Sequence, residues 1–219
     1  MIRALQHARR RALLLALLAG CLGPRSASAV EPDVRVESLL GRLEKGSAQV
    51  DTLCGEFTQK SRIKLFKQEL SSTGRLYFQR PRRIRWQYLS PDPSTLILDG
   101  DQATLHAAGS SPQSFDLAKD AAMRAVFDQI SLWLGAGSLA SARGSYDLAA
   151  SGSEAQPVLA LTPRPGAAVG KTFARIELRF DARLLLRGIL MREVSGDEKE
   201  ITFSRMERNA KLPGGAFTP

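Results

Sequence analysis

Two hydrophobic periods alternate along the chain. Over residues 34–50 apolar side chains recur at helical spacing, with Val36, Leu39, Leu40 and Leu43 on one stripe. Glu37, Arg42, Glu44 and Lys45 fall largely off it, so an amphipathic helix is predicted, stopped by Gly55. Over residues 57–66 the period shortens to two. Phe57, Ile63 and Leu65 share one parity and Lys60, Arg62 and Lys64 the other, as in a strand with one wet face. Residues 71–74 read as a turn. In the run Gly74 to Pro93, Leu76 and Phe78 alternate up to Arg80-Pro81, and Ile84, Trp86 and Tyr88 alternate beyond it. Proline inside strand-like sequence predicts a bend there. Arg80 shares the parity of Leu76 and Phe78, so a cation is expected on an interior face, where it needs hydrogen-bond acceptors.

Short strands are predicted at 95–98 and 102–107, with the Asp99-Gly100 turn between them and a loop at 108–113. Helical spacing returns at 119–134, where Met123, Val126, Phe127, Ile130, Trp133 and Leu134 form a stripe and Asp116 is the expected cap. Strands follow at 145–149, 158–162, 173–180, 184–193 and 199–206. Asp181-Ala182-Arg183 and Ser195-Gly196-Asp197 read as hairpin links. A helix, several strands, a helix and more strands predict a mainly β, α+β domain whose antiparallel sheet curls around its core.

The first 29 residues form a segment of their own. They hold five arginines and no acid, followed by an apolar run too short to span a bilayer. Ser26-Ala27-Ser28-Ala29 gives a cleavage pattern after Ala29, which predicts a signal peptide at 1–29 and one mature domain at 30–219. Leu18-Ala19-Gly20-Cys21 gives a competing pattern, with a lipoprotein signal at 1–20 and Cys21 acylated as a membrane tether. The formal net charge of +9 falls to +4 without the first 29 residues. Arg80, Arg82, Arg83 and Arg85 form a dense basic cluster, but so small a mature excess in an exported chain speaks against nucleic acid.

Catalytic chemistry finds little support. His106 is the single histidine of the mature chain, and no nucleophile elbow accompanies it. One histidine and Cys54 do not make a zinc site, and with Cys21 removed or acylated Cys54 has no disulfide partner. Gly135-Ala136-Gly137-Ser138-Leu139-Ala140 matches G-x-G-x-x-A but follows a helix, whereas a dinucleotide fingerprint follows a strand. No cofactor or metal is expected. The apolar faces then have two readings, a plain hydrophobic core or the lining of a binding cavity.

The run G-x-L-x-F-x-R-P-x-x-I-x-W-x-Y-x-x-P resembles the signature of the outer-membrane lipoprotein carrier proteins, the LolA-type periplasmic chaperones. Phe57-Thr58-Gln59 resembles the same family's F-x-Q, and the likeness extends to Asp99-Gly100. It implies an incomplete antiparallel β-barrel covered by an α-helical lid. It implies a cavity for acyl chains lined by Phe57, Leu76, Phe78, Ile84, Trp86 and Tyr88, with Met123, Val126, Phe127, Ile130 and Trp133 on the lid. Arg80 takes the position whose arginine ties down the lid. The implied activity is carriage rather than catalysis, by a monomer that takes acylated lipoproteins from an inner-membrane ABC-type release complex to an outer-membrane acceptor. The lipobox keeps open a membrane-tethered acceptor of lipoprotein or glycolipid, and the fold also suits a lipoprotein-sensing regulatory module. The chain ends at Phe217-Thr218-Pro219, without the Pro-Gly-Val segment usual in the family.

Overall fold

A computed structural model describes residues 33–65, 68–134 and 139–218. Residues 1–32, with the leader and Cys21, lie outside the described residues, and so does Gly135-Ala136-Gly137. The first helix, α1 (Val34–Ala48), starts where Asp33 accepts a hydrogen bond from the Arg35 amide. Its stripe of Val36, Leu39, Leu40 and Leu43 is buried, as the periodicity predicts.

Six strands then run back and forth: β1 (Thr52–Ile63), β2 (Gln68–Gln79), β3 (Arg83–Ser90), β4 (Ser94–Asp99), β5 (Gln102–Ala107) and β6 (Gln113–Asp116). Helix α2 (Ala121–Trp133) and a 3-10 turn, Leu139–Gly144, follow. The chain returns through β7 (Tyr146–Gly152), β8 (Pro157–Pro163), β9 (Phe173–Phe180), β10 (Leu186–Glu193) and β11 (Glu198–Arg208). All eleven strands form one antiparallel sheet in the order β6-β5-β4-β3-β2-β1-β11-β10-β9-β8-β7. Its two ends, β6 and β7, are not paired, so the sheet is open rather than a closed barrel. Helix α2 links those two unpaired edges.

The sheet's two faces differ in chemistry. One carries Phe57, Leu76, Ile84, Leu98, Leu161, Ile176, Leu178 and Ile189, all buried with both helices in a single core. The other carries an ion-pair ladder across four strands: Arg192 to Glu198, Glu198 to Arg62, and Arg62 to Glu69. Period-two alternation makes this division automatic, since each inward apolar residue has an outward neighbour. The C-terminal segment lies on the outer face, where the Arg85 guanidinium donates to the Thr218 carbonyl at 2.6 Å.

Several boundaries differ from the sequence reading. The turn expected at 71–74 does not exist, because β2 runs unbroken through it and the β1–β2 turn falls nearer residue 65. Gly74 has another purpose. It pairs with Phe57, and a Cβ added there would sit 2.2 Å from the Phe57 ring and 2.2 Å from the Gln87 carbonyl oxygen. The glycine is there to make room. The cap of α2 is Asp120, whose carboxylate accepts from the Met123 amide at 2.8 Å, while Asp116 instead closes the turn at Ala118. Strand β6 arises within and beyond the expected loop.

Two glycines therefore respond oppositely to alanine. Gly74→Ala forces a methyl into a filled space and is expected to lower the unfolding free energy by about 3 kcal/mol. Gly41, within α1, has nothing within 4 Å of an added Cβ. Gly41→Ala is expected to raise stability by about 1 kcal/mol through helix propensity. Urea unfolding of both variants checks the pair.

Candidate functional site

The site is built on the inner face around Phe57. With no side chain at Gly74, the Phe57 ring lies across β2 and reaches β3. Its centroid is 4.9 Å from Trp86 and 5.2 Å from Tyr88, the latter edge-on. Phe203 on β11 closes the group, 6.4 Å from Phe57 and 6.1 Å from Trp86. Such aromatic pairs add about 0.5–1.5 kcal/mol each beyond area burial. The Tyr88 hydroxyl donates to Gln59 Oε1 at 2.8 Å, so the glutamine of F-x-Q satisfies the polar end of the cluster. Burial pushes the Tyr88 phenol above its usual pKa, so it stays a protonated donor at neutral pH.

The six residues expected to line a cavity do converge on one face. Phe57, Leu76, Phe78, Ile84 and Trp86 are buried and Tyr88 is half-buried. Both readings of the sequence, core and cavity lining, require that burial. Between the ends of α1 and α2 there remains a cavity of about 40 Å³, lined by Leu43, Val50, Leu53, Trp133 and Leu185 among others. A larger cleft of about 450 Å³ lies elsewhere, under the C-terminal segment beside Arg83, Lys211 and Phe217. None of its lining residues belongs to the aromatic cluster, so size alone does not mark the site.

On α2, Phe127, Ile130 and Trp133 turn inward and are buried, and Met123 is half-buried against the same core. Val126 does not join them. It is 43% exposed, because the buried arc of the helix is narrower than the apolar stripe in the sequence. Contacts from β7 and from the β2–β3 link reach the helix. The Tyr146 hydroxyl on β7 donates to Gln129 Oε1 at 2.7 Å, and the Arg82 guanidinium lies 5.0 Å from the centre of the Phe127 ring. Asp101 holds Arg82 in place at 2.9 Å.

Arg80 is placed differently from the expectation of a buried interior cation. Strand β2 ends at Gln79, so strand parity no longer assigns Arg80 a face, and the residue is exposed. Its guanidinium donates from Nε to the Val50 carbonyl at 2.8 Å and from Nη2 to the Ser47 carbonyl. Those acceptors lie at and just beyond the C-terminus of α1, where unpaired carbonyls and the helix dipole favour a cation. Among the described residues, then, Arg80 holds α1, and the arginine that touches α2 is Arg82. The sequence reading missed Arg82, Phe203, Gln59 and Gln129 as site residues. Signals were present for Gln59, the last residue of F-x-Q, for Arg82, within the basic cluster, and for Phe203, an aromatic alternating with Ile201 in a predicted strand.

The architecture is an open antiparallel sheet with one apolar face on which two helices pack. The profile described as "Outer membrane lipoprotein carrier protein LolA" matches residues 48–219. The chain belongs to that family. It is 25% identical over 173 residues to an outer-membrane lipoprotein carrier protein of Dechloromonas aromatica, covering 76% of each chain. It is 28% identical over 217 residues to one of Chromobacterium violaceum, covering 92% of this chain and 88% of the other. Among solved structures, MucB superposes with a TM-score of 0.50 at 19% identity, over 84% of this chain and 62% of that one, which speaks to fold alone. No described helix is long and apolar enough to cross a membrane.

The two arginines should act on different helices. Arg82→Ala removes the cation above Phe127, worth about 0.5–1 kcal/mol at such a site, and should speed amide exchange across Ala121–Trp133. Arg80→Ala should instead speed exchange at the end of α1. Hydrogen exchange read by mass spectrometry separates the two, and equal protection changes in both helices would contradict the assignment.

Proposed function

We propose that this protein is a periplasmic carrier that shelters the acyl chains of lipoproteins on its inner sheet face and moves them from the inner to the outer membrane. The observation that carries the reading is the continuous apolar face around Phe57 and Trp86, closed by helices across an open sheet. Family membership supplies the cargo class, acylated lipoproteins, and speaks for carriage rather than catalysis. An ABC-type release complex as donor and an outer-membrane acceptor are part of the same proposal, as is export through the N-terminal leader.

The energetics favour such a shelter. Each CH₂ moved from water to an apolar site contributes about 0.8 kcal/mol, so an anchor of several acyl chains stays in a membrane unless an equivalent surface receives it. The roughly 40 Å³ left between the helices is far below one acyl chain. In this reading loading displaces α2 or α1 and exposes the face they cover. The contacts at Arg80, Arg82 and Tyr146 favour the closed, empty state and so favour release. Each contributes on the order of 1 kcal/mol, a scale that permits both capture and hand-over.

Delipidated protein should bind a fluorescent fatty acyl probe and shift Trp86 emission as it does. Phe127→Asp should weaken that binding far more than it lowers the unfolding midpoint. A matched loss of stability and binding would return Phe127 to the plain core. Arg80→Leu should load cargo more tightly and hand it to an acceptor poorly in a transfer assay; a variant that loads and releases like wild type excludes Arg80 as a lock. The tetrapeptide Leu18-Ala19-Gly20-Cys21 favours a second form, tethered through acylated Cys21. The intact mass of the mature protein from its own envelope distinguishes it from cleavage after Ala29.

A further inference from the structure

Six buried side-chain polar atoms lack a hydrogen-bond partner among the described residues, and three of them belong to α2. They are Gln129 Nε2, Ser131 Oγ and Trp133 Nε1. Ser131 and Trp133 are only 7% and 8% exposed, so neither polar group turns to bulk water. The rest of this buried surface is Phe127 and Ile130. Buried polar groups are nearly always paired, so a concentration of exceptions on one helix calls for a physical reason. Plain packing gives none, since alanine at 131 and phenylalanine at 133 would fill similar space without stranding a donor. The indole N–H is a donor only, so what it awaits is an acceptor. Trp133 also lines the cavity between the helix ends, where the two coverings of the inner face meet.

We infer that the buried face of α2 is a carbonyl-recognition strip with donors on both margins: Trp133 Nε1 and Gln129 Nε2, one turn apart on one margin, and Ser131 Oγ on the other, donate to the ester or amide carbonyls that head the ligand's acyl chains. This rests on the carrier reading above and adds a polar criterion to it. The inner sheet face takes hydrocarbon of any origin, whereas the strip selects hydrocarbon joined through a carbonyl. Unpaired donors disfavour the empty state and paired ones favour the loaded state, so the strip couples ligand chemistry to lid position. Gln129 is fixed for this by Tyr146, which occupies its Oε1 and leaves the amide nitrogen free.

The test compares dioctanoylglycerol with its diether, di-O-octylglycerol, which has equal chain length and no carbonyl. Binding is measured by calorimetry on the wild type, Ser131→Ala and Trp133→Phe. The wild type should prefer the ester about tenfold, the scale of one or two net hydrogen bonds. Ser131→Ala, nearly isosteric, should cut that preference severalfold, leave ether affinity unchanged and not lower the melting temperature. Trp133→Phe should do the same to the preference, with Trp86 left as the sole fluorescent reporter. Equal wild-type affinity for ester and ether overturns the strip, leaves acyl carriage standing and assigns the donors to trapped water. Equal loss of both ligands in the variants also overturns it, making the residues packing alone. If neither ligand binds the wild type, the carrier reading falls and the strip with it.

Discussion

The pairing of β1 with β11 is the constraint on which the rest of the molecule depends. Every other neighbour in the sheet is also a neighbour in sequence. This one joins strands at opposite ends of the domain and turns two separate meanders into one surface. It also sets Phe57 directly against Phe203, so the aromatic cluster forms only once the ends of the domain have met. Asn209 reinforces the seam just past β11, accepting from the Asp51 amide and donating to the Gln49 carbonyl. The end of α1 and the end of β11 are thereby fixed together.

From that seam the functional asymmetry follows. The sheet leaves its free edges at β6 and β7, and the covalent link between them is the segment carrying α2. Helix α2 buries Phe127, Ile130 and Trp133 in the core on the apolar face. It is held by a few polar contacts at its sides, Arg82 with Phe127 and Tyr146 with Gln129. Helix α1 is held differently, by Arg80 and Asn209 on the backbone around its C-terminus. The two helices are thus secured by separate sets of contacts.

The polarity of the sheet protects this arrangement. The outer face is laced with ion pairs such as Arg179 with Glu200 and Arg187 with Asp181. Single exposed pairs of this kind contribute little to stability. Their effect is to keep that face polar, so the sheet presents its apolar surface on one side.

The sequence by itself determined the local elements and the wet and dry faces, because side-chain periodicity is a property of a strand or helix alone. Phe57, Leu76, Phe78, Ile84 and Trp86 could be assigned to one interior, and 173–180 is a strand to the residue. The Arg-Pro hinge could be placed as well. Tertiary structure decided whatever depends on which elements meet. Gly74 looks like a turn glycine until Phe57 is seen lying over it from another strand. Arg80 looks buried until β2 is seen to end one residue earlier, and its partners, Ser47 and Val50, lie at and just beyond the end of α1. Val126 belongs to the apolar stripe by spacing but faces water, since the arc that a helix buries is set by the surface it rests on. Arg82 and Phe203 gained their positions only through the crossing of α2 and the β1–β11 seam, long-range contacts that no local pattern encodes.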